Sequence, residues 1–132
     1  MGNSIGPSSK QGVNPKDMNS DELLQALVQH ARTKKAGDIL IIDIRGVSDM
    51  ADYFVLCTGW SPVQIKAIAD EVYEKMKHTG HPPWHVEGYE SLKWVLLDFV
   101  DVVLHVFDPE TRDFYALERI WADAKMVHLE DE

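Results

Sequence analysis

Two spacings of apolar residues divide the chain into helical and extended segments. Apolar residues that recur every three or four positions predict amphipathic helices, whereas short continuous runs of β-branched and aromatic residues predict buried strands. The predicted helices cover residues 20–35 and 62–78, followed by a last helix that carries Phe114, Leu117, Ile120 and Trp121. The predicted strands cover residues 38–44, 52–58, 84–87, 94–97 and 102–107. This order predicts an α/β fold, with a mixed sheet of about five strands and flanking helices.

Residues near the ends of the predicted helices support these boundaries. Asn19 and Glu22 have the spacing of a capping box, and Gly37 is expected to stop the first helix. Ser61 is placed as the N-cap of the second helix, with Pro62 at its first position. Both helices therefore carry local start signals of their own.

The two ends of the chain differ in composition from its middle. Residues 1–18 are rich in Gly, Ser, Asn and Pro and predict a flexible tail. Residues 19–125 form the predicted domain, in which residues 108–112 are expected to make a turn, and residues 126–132 are expected to be an acidic tail that frays. We find no internal repeat.

The charge balance limits the classes of partner. The chain has 22 acidic residues against 13 Lys and Arg, giving a formal net charge of −9, and it shows no dense basic patch. Binding of a nucleic-acid backbone depends on cations that displace counterions, so direct DNA binding is not expected. A basic protein surface suits this chain better.

The single cysteine, Cys57, lies in an apolar run and is expected to pack as a small buried hydrophobe. A chain with one cysteine cannot form an internal disulfide, and its apolar runs are too short to cross a bilayer. Residues 1–18 also lack the apolar block of a signal peptide. These observations predict a cytoplasmic protein without a membrane anchor.

Two apolar runs and the acidic residues between them predict a binding edge. Asp98, Phe99, Val100 and Asp101 join the last two predicted strands without Gly, Asn or Pro, so a bulge or wide turn should present the carboxylates near the rim. Phe99 would then be partly exposed. An apolar rim beside carboxylates is suited to a partner with a basic surface.

The sequence predicts two alternative roles for Trp94, in the core or at a binding surface. A strand tryptophan usually packs in the core, but tryptophan is also strongly enriched among residues that dominate binding energy, and Glu87, Asp98 and Asp101 would then give it a polar rim. His105 is expected to be a hydrogen-bonded structural histidine. Tyr115 and Trp121 are expected to make core or dimer contacts.

Several catalytic or metal-dependent readings are weak. The Gly59–Ser61 turn is similar to the phosphate-binding turn of nucleotidyltransferases, but the paired carboxylates that would hold magnesium are missing, so an ordinary strand-to-helix turn is favoured. His85 and Glu87 resemble half of a zinc-deaminase motif whose cysteine half is absent. No catalytic residue, metal or cofactor is expected, and nucleotide binding at the Gly59–Ser61 turn remains the alternative.

The motifs taken together resemble the ribosomal silencing factor family, RsfS, also called Iojap, over about residues 20 to 124. The segments that carry the resemblance are residues 43–45 and 52–55, 59–72 with Ala67-Ile68-Ala69-Asp70, Glu87-Gly88, 94–107, and Tyr115-x-Leu117-Glu118-x-x-Trp121. The resemblance implies a nucleotidyltransferase-like fold without catalytic carboxylates and a non-enzymatic function.

It further implies binding to the large ribosomal subunit through ribosomal protein L-fourteen, a block of subunit joining, and repression of translation when nutrients are short. The resemblance also leaves a homodimer possible. Carried over by position, the partner-binding residues would be Glu87, Trp94, Leu96, Asp98, Phe99 and Asp101. Two positions depart from the family pattern: Val100 stands where many relatives have Gly, and Trp60 stands where a small polar residue is usual.

Overall fold

The computed structural model describes residues 17–130, so almost all of the predicted N-terminal tail lies outside the described residues. The helices are α1 (Ser20–Thr33), α2 (Pro62–His78), α3 (Pro109–Tyr115) and α4 (Leu117–Ile120). The strands are β1 (Gly37–Asp43), β2 (Tyr53–Thr58), β3 (His85–Glu87), β4 (Trp94–Asp98), β5 (Val102–Phe107) and β6 (Lys125–His128). Within residues 17–130, no helix has the length and apolar character needed to cross a bilayer.

The described strands form one sheet in the order β3-β4-β5-β2-β1-β6. β2 and β5 are parallel, and all other neighbours are antiparallel. A parallel pair needs a crossover, which α2 and the β3–β4 hairpin supply. The prediction of an α/β fold with a mixed sheet is confirmed, and the sheet has one strand more than the five expected.

The predicted helix starts are confirmed in detail. The Asn19 side-chain oxygen accepts a hydrogen bond from the Glu22 amide at 2.8 Å, and the Glu22 carboxylate accepts one from the Asn19 amide at 3.0 Å. Ser61 Oγ accepts from the Gln64 amide at 3.1 Å. Such caps satisfy backbone donors that the first helical turn leaves without partners.

The predicted role of Gly37 was wrong. Helix α1 ends at Thr33, and Lys35 makes the reversal with a φ of 62°. Gly37 instead begins β1, where a Cβ atom would lie 2.1 Å from the ring of Trp60. The glycine is therefore needed for close packing under Trp60 and not for ending the helix.

One face of the sheet, which we call the helical face, is covered by α1 and α2. Its strand side chains include Val55, Cys57, Val95, Leu97, Leu104 and Val106, all buried. They pack against the apolar stripes of the two helices, among them Leu27, Ile65 and Ile68. Burial raises the pKa of the Cys57 thiol to about 12, so the predicted packing of Cys57 as a buried hydrophobe is confirmed.

The opposite face, which we call the aromatic face, is only partly covered. Trp94 pairs with Phe107, and Leu96 pairs with His105, so these four side chains project from the same side of β4 and β5. A smaller cluster that includes Leu40, Ile42, Phe54, Leu56 and Phe107 is buried beneath Leu117 and Trp121. The part of this face formed by β3 and β4 is not covered by Leu117 and Trp121.

The C-terminal part of the chain differs from its prediction. Residues 108–112 begin α3 and are not a simple turn, because Asp108 caps the helix and Pro109 occupies its first position. The expected last helix is broken at Ala116, whose φ is 44°, so that Trp121 packs edge-on against Phe54 at 5.8 Å whereas Ile120 is exposed. The core contact expected of Trp121 is confirmed.

The segment expected to fray forms β6 instead. Residues Lys125–His128 pair antiparallel with β1, with Ile42 opposite Met126 and Leu40 opposite His128. The pairing satisfies backbone groups that β1 would otherwise present as an open sheet edge. Ordered structure therefore continues into the predicted 126–132 tail.

Candidate functional site

An indole–imidazole hydrogen bond lies at the centre of the aromatic face. Trp94 Nε1 donates to His105 Nδ1 at 3.0 Å, from one strand to its neighbour. The Trp94 ring also stacks on Phe107, with 4.8 Å between ring centroids, and contacts Tyr115 at 5.0 Å. Trp94 is half-buried, because its inner edge is held by these contacts and the rest of the ring reaches the surface.

His105 is the buried partner in this pair, with 3% of its surface exposed. Burial lowers the pKa of His105 to about 3, so the imidazole is neutral near pH 7. Because Nδ1 accepts the indole proton, the neutral ring carries its own proton on Nε2. Nε2 has no hydrogen-bond partner among residues 17–130, while Phe54 packs 4.8 Å from the ring. The expected structural, hydrogen-bonded histidine is what the structure shows.

A shallow depression of about 270 Å³ opens beside Trp94. It is lined by Glu87, Gly88, Trp94 and Leu96. Gly88 has a φ of 96°, and a Cβ at that position would lie 1.9 Å from the carbonyl oxygen of Trp94. Only glycine allows the chain to leave β3 so close to β4, and this close approach shapes one wall of the depression.

Glu87 supplies the negative charge at this depression. Its carboxylate is 64% exposed and lies 3.1 Å from Nε2 of His85, which is also solvent-exposed. An exposed pair of this kind contributes little to stability, and the carboxylate stays available to a partner. Glu87 stands opposite Leu96 in the β3–β4 ladder, so charge and apolar surface adjoin.

Asp98 lies on β4, two residues after Leu96 and on the same face. One of its carboxylate oxygens accepts from the Val100 amide at 2.8 Å, and its backbone oxygen accepts from the Trp84 amide at 2.7 Å. Asp98 therefore stabilises the hairpin turn as well as carrying charge. Val100 has a φ of 73° and is 58% exposed, a conformation that a glycine would adopt more readily.

The structure does not expose Phe99 as the sequence suggested. Phe99 is 8% exposed and belongs to the core beneath the helical face, because it continues the alternation of Val95 and Leu97. Asp101 is exposed at the turn, where its backbone oxygen accepts from the amides of Asp52 and Tyr53. Of the six predicted partner-binding residues, the structure brings together Glu87, Trp94 and Leu96, with Asp98 on the same face.

Sequence reasoning missed the aromatic residues that α3 adds to this surface. Tyr115 is 51% exposed and Phe114 80% exposed, and their rings meet edge to face at 5.0 Å. Tyr115 contacts Trp94, so it continues the aromatic row outward instead of entering a core. The spacing of Trp94 and Tyr115 in the chain carries no signal for this contact, because it depends on how α3 returns over the sheet.

The Gly59–Ser61 turn is occupied by packing and capping contacts. The Trp60 ring covers Gly37, and the Trp60 amide donates to the Gln64 side chain at 2.8 Å. Ser61 Oγ caps α2, as described above. Within residues 17–130, no group of three or more His, Cys, Asp or Glu side chains is placed to hold a metal ion.

Comparison with known proteins identifies the family. Residues 17–132 match the family model described as "Ribosomal silencing factor during starvation", RsfS. The chain belongs to the RsfS family. It is 42% identical over 113 residues to the ribosomal silencing factor RsfS of Halalkalibacterium halodurans, a match that covers 86% of this chain and 97% of the relative. The resemblance drawn from the motifs is thereby confirmed.

A solved structure and a mouse protein are also similar to this chain. A crystal structure of a protein from Chromobacterium violaceum superposes with a TM-score of 0.77 at 34% identity, covering 80% of this chain and 88% of that one. A mouse relative, 32% identical over 101 residues, is named "Mitochondrial assembly of ribosomal large subunit protein 1"; the match covers 74% of this chain and 44% of the mouse protein. The names of the Halalkalibacterium halodurans and mouse relatives describe silencing and assembly and not a reaction.

Proposed function

We propose that this protein binds the large ribosomal subunit through ribosomal protein L-fourteen, blocks its joining to the small subunit, and represses translation when nutrients are limiting. It acts in the cytoplasm by occupying a surface and not by catalysis. The contact surface is the open end of the aromatic face, formed by Glu87, Trp94, Leu96 and Asp98, with Asp101 at the adjacent turn.

The observation that carries this proposal is the state of Trp94. Its indole is fixed from below by His105 and Phe107, yet the ring borders an open depression beside Leu96. A rigid tryptophan that is already ordered before binding loses little conformational entropy in a complex, and tryptophan is enriched among residues that dominate interface energy. This arrangement supports a protein partner.

Charge supports the nature of that partner. Glu87 and Asp98 lie at the edges of the apolar surface, and the chain carries a formal net charge of −9. Complementary charge speeds association with a basic protein, while bare RNA would be repelled. The family name and the name of the mouse relative support the ribosome, and its large subunit, as the particle concerned.

The proposal is tested by subunit joining in vitro. Purified large and small subunits are mixed with messenger and initiator transfer RNA, and formation of the complete ribosome is followed by light scattering. Preincubation of the large subunit with the protein should reduce the amplitude, and preincubation of the small subunit alone should not. Trp94→Ala should restore joining, whereas Trp60→Ala, at an exposed tryptophan just before the N-cap of α2, should not. Undiminished joining with saturating wild-type protein would contradict the proposal.

A further inference from the structure

Helix α3 is anchored by its N-cap and by Arg112 in its middle, but it buries no side chain within Pro109–Tyr115. Asp108 Oδ1 accepts from the Thr111 amide at 2.7 Å. Arg112 Nη1 donates to the Asp38 carbonyl at 2.6 Å and to Thr58 Oγ1 at 2.8 Å, which ties the helix to β1 and β2. Together with the ring contact between Tyr115 and Trp94, these hydrogen bonds hold the helix, which adds no apolar side chain of its own to the buried core. Its structure fits a different use, the presentation of its outer face.

That outer face contains a depression of about 390 Å³ lined by Glu110, Thr111, Phe114 and Tyr115. Glu110 and Phe114 are four residues apart, as are Thr111 and Tyr115, so the four side chains share one side of the helix. Phe114 is 80% exposed, which is unusual for a phenylalanine. The rings of Phe114 and Tyr115 contact each other edge to face, with 5.0 Å between their centroids.

The chemistry of this depression matches one type of side chain. Two aromatic rings offer faces to a cation and cover an aliphatic stem, a carboxylate offers two acceptors, and a threonine hydroxyl offers a third. Arginine uses all of these together, because its planar guanidinium stacks on rings and forms paired hydrogen bonds with a carboxylate, whereas a lysine ammonium does neither as well.

We propose that the depression formed by Glu110, Thr111, Phe114 and Tyr115 receives an arginine side chain of the partner protein. Tyr115 lies 5.0 Å from Trp94, so this second contact is continuous with the first surface. The inference rests on the proposed function for the identity of the partner. It adds α3 to the binding surface and names the side chain that α3 recognises.

The first test is the affinity of the purified full-length protein for isolated large subunits. Phe114→Ala and Glu110→Gln should each weaken binding about tenfold or more, which corresponds to about 1.4 kcal/mol. The matched controls are Val63→Ala and Glu74→Gln on α2, since Val63 is also 80% exposed and Glu74 is an exposed carboxylate. Both controls should stay within about twofold of the wild type. Wild-type affinity of Phe114→Ala would overturn the inference.

A second test does not need the ribosome. Amide resonances of the ¹⁵N-labelled protein are followed during titration with N-acetyl-arginine methylamide and, separately, with N-acetyl-lysine methylamide. Arginine should shift the amides of Thr111 and Tyr115 saturably at millimolar concentration, and lysine should shift them less; Phe114→Ala should abolish the difference. Equal shifts with both compounds would overturn the inference. Failure of the wild type to bind large subunits would instead overturn the proposed function, and the titration separates these two failures.

Discussion

The two faces of the sheet are formed by the same strands, but helices cover them to different extents. On the helical face, two long helices bury the strand side chains in a cluster of twenty buried residues. On the aromatic face, eight hydrophobic residues form the buried cluster, and Trp94 and Leu96 remain partly exposed at its margin. Apolar area removed from water stabilises the fold, and apolar area left at a margin is available to a partner. Because side chains alternate along β4, those on the helical face stabilise the fold and those on the aromatic face are available to a partner.

The largest expected effect is the difference in unfolding free energy between alanine variants of two neighbours on β4, Leu97 and Leu96. Leu97 is fully buried on the helical face, so Leu97→Ala should lower the free energy of unfolding by about 2 to 5 kcal/mol. Leu96 is partly exposed on the aromatic face, and Leu96→Ala should cost roughly 1 kcal/mol or less. Urea unfolding at equilibrium measures both. Equal losses would show that the two faces do not differ in their share of stability.

The next effect concerns binding. Trp94→Ala should weaken affinity for the large subunit by about 2 kcal/mol or more, because it removes the fixed aromatic surface beside Leu96. Trp60→Ala is the matched control, since Trp60 is 55% exposed, packs on Gly37 and does not line the depression beside Trp94. Isothermal titration or filter binding gives both affinities. A loss shared by both variants would point to the fold and not to the aromatic face.

The third effect is a pH dependence specific to the aromatic face. Burial lowers the pKa of His105 from its ordinary 6.5 to about 3, so below pH 6.5 the unfolded chain binds a proton that the folded chain does not. Stability contributed by the neutral imidazole is complete above pH 6.5 and is lost as the pH falls towards 3, by up to about 1.4 kcal/mol per pH unit.

The comparison that isolates this term is the wild type against His105→Gln, with unfolding free energies measured between pH 7 and pH 4. The pKa of His30 is also lowered, chiefly by burial, but it contributes equally to both proteins and cancels in the difference. The wild-type curve should be steeper by about one proton. Parallel curves would mean that the pKa of His105 is the same in the folded and unfolded protein, which would contradict the lowered pKa.

The parts of the fold that local signals determine were predictable. The capping box at Asn19, the Ser61 cap and the Pro62 start gave the beginnings of α1 and α2, and α2 ends where the periodicity does. Strand β6 was missed because residues Lys125–His128 are short and become a strand only by pairing with β1. Such pairing depends on a partner more than eighty positions away, which no local pattern reveals.

The candidate site was predictable in part for the same reason. Trp94, Leu96 and Asp98 share a face because strand side chains alternate, and that alternation also places Phe99 with Leu97 on the helical face. The expected exposure of Phe99 was wrong because the alternation of β4 continues into the acidic turn and buries the ring. The contact of Tyr115 with Trp94 lay beyond sequence reasoning, since it requires the positions of α3 and β4 together.

Co-sedimentation with separated ribosomal subunits across a salt series tests the central claim, that the aromatic face binds the large subunit. Glu87→Lys is the sharpest variant, because Glu87 is exposed and borders Trp94, whereas Asp98 also holds the hairpin turn. Glu74→Lys reverses the same charge on α2 and serves as the control. We predict sedimentation with the large subunit alone, weakened by salt, lost in Glu87→Lys and kept in Glu74→Lys. Equal behaviour of the two variants, or no sedimentation of the wild type with the large subunit at low salt, would contradict the account.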